Sequence, residues 1–227
     1  ILDNAVLSIK TEYYNRGLYS VIITPVVTQL ERNRVNIEIQ ISEGSIAKIA
    51  AIDFIGNKIY STNQLRKEMY LTTGNWMSWW YKDNQYSSDK LAGDFEKIRA
   101  FYLNNGYIDF RLNSAQIQLS PDKQSVFITG NIIEGEQYRF KSIQLAGDYK
   151  DIPPAVLTPL ITVKPGQIIN QETLNKNIET IKNTMGNYGY AFANVNPVPD
   201  VNVKDHTVAY NLFIDPGKKI YIRNVNI

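Results

Sequence analysis

Cysteine is missing from this chain altogether, and histidine occurs once, as His206. The first absence removes disulfide frameworks and thiolate chemistry, and the two together leave no zinc ligand set to expect. A Gly-rich phosphate loop is also wanting: Gly74, in TTGNW, has neither the lysine nor the spacing. No run of 18 apolar residues occurs, so nothing reads as a helix that crosses a membrane. Charge of one sign is equally scarce. The net value is +2 over 227 residues, with Lys and Arg scattered, whereas a nucleic-acid partner calls for a basic stripe. The opening ILDNAVLSIK carries neither the charged head nor the cleavage site of a signal peptide, which predicts that any targeting segment stood upstream. His206, in the turn KDHT, reads as a solvated turn residue. With so thin an inventory of acids, bases and nucleophiles, neither catalysis nor a cofactor or metal is expected.

What the sequence has instead is repetition, and an internal repeat decides the fold before any local pattern does. ISEGSIAKIAAIDFIGN (41–57) returns as IIEGEQYRFKSIQLAGD (132–148) and begins again as IDPGKKIYIRNVNI from Ile214. The anchoring glycines are Gly44, Gly135 and Gly217. A second landmark moves with them: YYNRGLY, YLNNGYI and GNYGYAF centre on Gly17, Gly106 and Gly189, which precede their anchors by 27, 29 and 28 residues. Two markers in register over three copies define tandem modules. The Glu43-Gly44 and Glu134-Gly135 pairs fall at strand ends, where a turn with glycine at positive φ is the expectation rather than a working carboxylate.

The complete copy predicts a strand over KIAAIDFIGN, a short helix capped by Ser61 or Thr62, and a longer helix from about Ser88 to Asn104. The long helix should bury Leu91, Phe95, Ile98 and Tyr102, with Ala92 and the stem of Arg99 alongside, and end at Gly106 in the left-handed cap position. Two strands follow. The second alternates, with Val126, Ile128 and Ile132 on one face, as do Val35, Ile37, Ile39 and Ile41 in the first copy and Val208, Tyr210, Leu212 and Ile214 in the third. Such alternation means a sheet covered on one face, and the two helices must be the cover. The third copy repeats the plan: IPPAVLTPL is its short helix, and Asn170 precedes a longer one with a Leu174, Ile178, Ile181 and Met185 stripe. The fold class is therefore α+β, in tandem β-α-α-β-β modules with three-stranded mixed sheets. Residues 1–45 supply a back half (helix and strand pair), 46–136 and 137–217 two whole modules, and 218–227 the first strand of another. That orphan strand is expected either to pair with an exposed edge, such as the one left open in the first copy of a neighbouring molecule, or to stay unpaired.

Two stretches invite a functional reading. Ser114, Ala115, Gln116, Ile117, Gln118 and Leu119 form a strand with no charge between Asn113 and Pro121, so they are expected to be an unprotected edge able to take an added strand. Ala115, Ile117 and Leu119 should face the helices, and Gln116 and Gln118 the solvent. WMSWWY (76–81) puts Trp76, Trp79 and Trp80 between the helices of the complete module. Either this loop folds back and buries its rings, or it presents an aromatic contact to a partner or a lipid surface.

A tandem β-α-α-β-β module with a Gly-Asn turn after its first strand and an N-x-G-Y end to its second helix resembles the POTRA (polypeptide-transport-associated) family. KLAGDFEKIRAFYLNNGYIDF, QLSPDK and IIEGEQY closely resemble the third such domain in the arm of the outer-membrane protein assembly factors of Gram-negative bacteria. NYGYAFANV resembles the fourth, ERNRVNIEI the end of the second and KKIYIRNVNI the opening strand of the fifth. The resemblance implies an arm on the periplasmic side of the outer membrane, preceding a membrane β-barrel. Its implied partners are lipoproteins of the assembly complex near the third and fifth domains, unfolded outer-membrane proteins, and periplasmic chaperones. The arm of another carrier, such as a two-partner secretion transporter or a cell-division protein, and a small-molecule binder built from repeats, are the alternatives. A β-barrel sequence downstream of Ile227 would separate the first reading from both.

Overall fold

The repeat emerges as three sheets. A computed structural model describes residues 2–74 and 77–221. Helix α1 (Leu2–Asn15) leads into an antiparallel pair, β1 (Ile22–Leu30) and β2 (Arg34–Ser42). Next come β3 (Lys48–Ile55), α2 (Thr62–Glu68), the short α3 (Ser78–Tyr81), α4 (Ser88–Asn104), β4 (Arg111–Leu119) and β5 (Ser125–Ile133). The series then repeats as β6 (Arg139–Gly147), α5 (Pro154–Leu157) running into a 3-10 turn, α6 (Gln171–Asn187), β7 (Asn194–Asn202) and β8 (Thr207–Asp215). Strand order is β3-β5-β4 in one sheet and β6-β8-β7 in the other, with the outer strands parallel and antiparallel to the centre respectively. Both are mixed three-stranded sheets of the expected kind. Among the described residues, α3 is the one helix beyond the expected elements.

By its contacts the chain falls into two compact units, residues up to 99 with 111–134, and residues 100–110 with 135 onward. In the first, Ile49, Ile52 and Phe54 of β3, Leu91, Phe95 and Ile98 of α4, and Val126, Ile128 and Ile132 of β5 are buried, and Phe54 meets Phe95 edge-on with ring centroids 6.5 Å apart. In the second, Leu174, Ile178, Ile181 and Met185 of α6 pack with Phe140 of β6 and Val208, Tyr210, Leu212 and Ile214 of β8. Burying each such aliphatic side chain contributes about 1.5–3 kcal/mol before chain entropy is subtracted.

Local chemistry sets the helix ends. Ser61 caps α2 in a reciprocal capping box with Gln64, and the Asn170 side chain accepts from the Thr173 amide to cap α6. At the other end the landmark glycines adopt φ of 82°, 86° and 94° at Gly17, Gly106 and Gly189. In each copy the residue after the glycine donates back five residues: Leu18 to Tyr13, Tyr107 to Tyr102 and Tyr190 to Met185, all at 3.0 Å. This is the Schellman closure, which needs a residue without Cβ strain at the left-handed position.

Three expectations are corrected. Ala92 and Arg99 of α4 are exposed, and the position that completes the buried stripe is Asp94. In β2 the alternation holds but the burial does not: Val35, Ile37 and Ile41 are exposed, because α1 buries none of its residues and one helix covers too little of that pair. His206 is half-buried, not solvated; it sits at φ 48° with its ring edge-on to Tyr138, centroids 5.5 Å apart.

Candidate strand-docking edges

The expected docking residues lie on β4, which pairs with β5 alone and forms one edge of its sheet. Register sets their faces. Ala115, Ile117 and Leu119 stand opposite Gly130, Ile128 and Val126, the buried row of β5, so they share the helix-side face; Gln116 and Gln118 share the other with Thr129 and Phe127. The helices do not reach that far. Ile117 remains 41% exposed and Leu119 39%. Both are apolar side chains on the covered side of a sheet, bare at its rim.

Backbone direction follows from one bond. The Ser120 amide donates inward to Ser125 O at 2.9 Å, where the hairpin closes. In an antiparallel ladder alternate residues point their amide and carbonyl the same way. Ser114, Gln116 and Gln118 therefore point to β5, and Ala115, Ile117 and Leu119 point outward. Among the described residues no main-chain group bonds to that outer flank. A register shift between Leu112 and Ser114 twists the strand at its start.

The opposite edges are not equivalent. At the start of β3, Ile49 N donates to Asn84 O and Tyr86 N to Ala47 O, while Arg66 Nε reaches Ile52 O at 2.6 Å. At the start of β6, Phe140 N donates to Gln167 O, Gly166 N to Phe140 O and Ile169 N to Tyr138 O. A returning loop thus occupies this flank in both modules. Pairing of the loop was illegible in sequence, because it joins residues with no shared periodicity.

The aromatic stretch occupies an extension. The Leu71 amide bonds to Asp94 and the Thr162 amide to Asn177, and these acceptors each lie twelve residues before a cap glycine. From Leu71 to the returning Tyr86 is 15 residues, whereas from Thr162 to the returning Ile169 is 7, so the first loop is longer by eight. Trp76, like the side chain of Trp79, lies outside the described residues. Trp80, on α3, is 72% exposed, and Tyr81 and Met77 beside it are exposed as well. Of the stretch, the Trp80 and Tyr81 rings are the ones seen to face solvent.

No cluster of His, Asp or Glu able to hold a metal occurs among the described residues, and no described helix is long and apolar enough to cross a membrane. The most perturbed carboxyl is Asp151: a hydrogen bond from the Lys219 ammonium, joined by the Tyr190 hydroxyl, holds it down to about 2. Together they tie the segment after Gly217 to the end of α6: the Tyr190 ring is buried, while Asp151 and Lys219 lie at the surface.

Repeated three-stranded mixed sheets, each with helices on one face and a hairpin strand at its edge, define a class of tandem α+β repeat module. The POTRA family model, described as surface antigen variable number repeat, matches residues 47–135 and again 138–217, and the chain belongs to that family. Within the family it is similar to the outer membrane protein assembly factor BamA of Neisseria meningitidis serogroup B, 40% identical over 226 residues, covering all of this chain and 28% of that protein. BamA of Buchnera aphidicola is 28% identical over 197 residues, covering 86% of this chain and 31% of that protein. Among solved structures, the third to fifth POTRA domains of Haemophilus influenzae BamA superpose with a TM-score of 0.69 at 28% identity, covering 79% of this chain and 70% of that one. The chain thus spans under a third of the length of the curated relatives it matches.

Proposed function

We propose that this chain is part of the periplasmic arm of an outer-membrane protein assembly factor. In this reading it holds the end of the second POTRA domain (1–45), the third (46–136), the fourth (137–217) and the first strand of the fifth (218–227). It is a non-enzymatic scaffold on the periplasmic side of the outer membrane. Its partners are Bam lipoproteins, BamB at the third domain and BamD near the fifth, together with unfolded outer-membrane β-barrel proteins and the periplasmic chaperones that deliver them. The similarity to BamA proteins supports the setting. One observation carries the mechanism: the outward, unpaired, uncharged flank of β4.

Strand addition takes affinity from main-chain hydrogen bonds and tolerates many side chains, which suits a receptor for diverse unfolded chains. Ala115, Ile117 and Leu119 each offer one donor and one acceptor, six bonds at about 1 kcal/mol net apiece. That is about 6 kcal/mol before the incoming segment is ordered, so dissociation constants fall no lower than the tens of micromolar. Weak, reversible capture is what passing on a substrate requires.

The test is site-specific photo-crosslinking from Gln118 in the full-length protein in cells. Crosslinks to unfolded outer-membrane proteins or to a Bam lipoprotein are expected, and Leu119→Pro, which removes an outward donor, should diminish them while the module stays folded. Unchanged crosslinks in that variant would remove β4 as the contact.

A further inference from the structure

We infer that proline decides which module accepts a strand: Pro25 obstructs β1, Pro197 and Pro199 close β7, and Ala115 with Ile117 leaves β4 fully open among these three matching edges. The inference rests on the strand-docking reading above and names its specificity.

The three edges align without ambiguity. Five residues before the anchors Gly44, Gly135 and Gly217 stand Ile39, Gly130 and Leu212, and their cross-strand partners are Pro25, Ala115 and Pro197. Seven before the anchors stand Ile37, Ile128 and Tyr210, paired with Val27, Ile117 and Pro199. The Ser120–Ser125 bond makes Ala115 and Ile117 outward-pointing. Proline, which has no amide to give a ladder, is tolerated in an edge strand at just such positions. In β7 two successive outward donors are absent, and each ring places its Cδ where an incoming carbonyl would approach. In β1 one is absent, at the position matching Ala115. β4 keeps three in a row.

The occupant is an unfolded polypeptide segment with alternating apolar and polar residues. Its main chain pairs with Ala115, Ile117 and Leu119, and its apolar side chains fall on the helix-side face, extending the row in which Ile117 and Leu119 are already bare. Its polar side chains join Gln116 and Gln118 on the other face. A segment without that alternation would bury polar groups beside Ile117 or strand apolar ones outside.

The experiment titrates the chain with a soluble ten-residue peptide of alternating valine and threonine, capped by lysines, and reads each backbone amide by NMR. In the unaltered chain, shifts should centre on 115–119 and be absent from 195–201. Ala115→Pro with Ile117→Pro should weaken binding at β4 at least tenfold, with amide dispersion and melting temperature reporting that the fold is kept. Pro197→Ala with Pro199→Val should open a second site at 195–201, a gain that does not depend on how the β4 variant folds. Site-resolved signals keep any pairing at the free flank of β2 separate. No shift at β4 in the unaltered chain would overturn strand docking and this inference together. Shifts at β4 and β7 alike, or a β7 that stays closed without its prolines, would overturn the proline gate and leave docking standing.

Discussion

The main-chain amide of Tyr138 donates to the carbonyl oxygen of Gly106 at 2.8 Å. The same bond recurs from Ala47 to Gly17 at 2.9 Å and from Ile220 to Gly189 at 2.8 Å. Each donor lies three residues after an anchor glycine and each acceptor is a cap glycine, so the two landmarks that keep register in the sequence are bonded to each other in space. Their near-constant separation is the length of one hairpin that must bring the chain back to its own helix end.

Gly106 cannot be replaced there. It sits at φ 86°, and a Cβ would lie 2.8 Å from Tyr138 O and 2.7 Å from Ile168 Cγ2. Gly106→Ala should cost about 1–3 kcal/mol, from left-handed strain and the displaced acceptor. Gly93, inside α4, has nothing within 4 Å of a Cβ. Gly93→Ala should therefore stabilise by about 0.5–1 kcal/mol, since helical glycine is entropically costly. Chemical denaturation of both variants checks the pair; equal signs would contradict the geometry.

Asp94 is 1% exposed, and its carboxylate accepts the amides of Tyr70 and Leu71, each at 2.7 Å, and the Lys97 ammonium at 2.8 Å. Asn177 does the corresponding work in the next module, accepting from Thr162 N and donating to Thr162 Oγ1 and Thr173 O. Asp94→Ala leaves two amides unpaired in a buried place and should cost about 2–4 kcal/mol. Asp94→Asn keeps one acceptor but turns an amide group toward the second N–H, so it should fall between. Urea midpoints should be highest for the unaltered chain, lower for Asp94→Asn and lowest for Asp94→Ala.

The helix stripe and the central strands were legible because their periodicity is set by backbone geometry alone. Asp94 was not: a carboxylate at a helical position reads as solvent-facing until the loop it anchors is known, and the one available signal was its twelve-residue spacing from Gly106, shared by Asn177 and Gly189. For the same reason the β2 face misled. Alternation tells which side chains share a face, whereas burial depends on what covers it. At β4 the sequence showed the absence of charge, yet which residues point outward awaited the Ser120–Ser125 bond. The tail expected from 218 to form a strand is described as far as Tyr221, with no strand assigned; Ile222 to Ile227 lie outside the described residues.

Lys219 reaches the Asp151 carboxylate, which the Tyr190 hydroxyl also approaches, and the Asp151 carboxyl is held down to about 2 from 3.8. A carboxyl depressed by folding contributes stability that is full above its unfolded value and fades as pH falls toward its folded one. The segment around Lys219 should therefore stay docked from neutral pH down to about pH 4, and loosen between there and pH 2. A carboxyl carbon NMR titration of Asp151 should show a midpoint near 2, and one near 3.8 would show that the contact is not held in solution. Asp151→Asn should release Lys219 at neutral pH, seen as increased backbone motion at 218–221.

Amide exchange reads the edge without any partner. If Ser120 N points inward, then Gln116 and Gln118 donate within the ladder while Ala115, Ile117 and Leu119 present their amides to water. Protection along β4 should alternate residue by residue, a pattern that local unfolding of the whole strand could not produce, since opening exposes neighbours together. The flank of β3 supplies the control. Ile49 donates to Asn84 O on that side, so its amide should be protected although β3 too is a sheet edge. Equal protection at 115–119 would mean that the outer flank is already occupied, by a second copy or by another part of the chain, and dilution separates these: protection lost on dilution identifies a copy, and protection that survives it identifies the chain itself. Fast exchange at 115, 117 and 119 beside slow exchange at 116 and 118 would establish the outward row on which strand docking and its control by proline both depend.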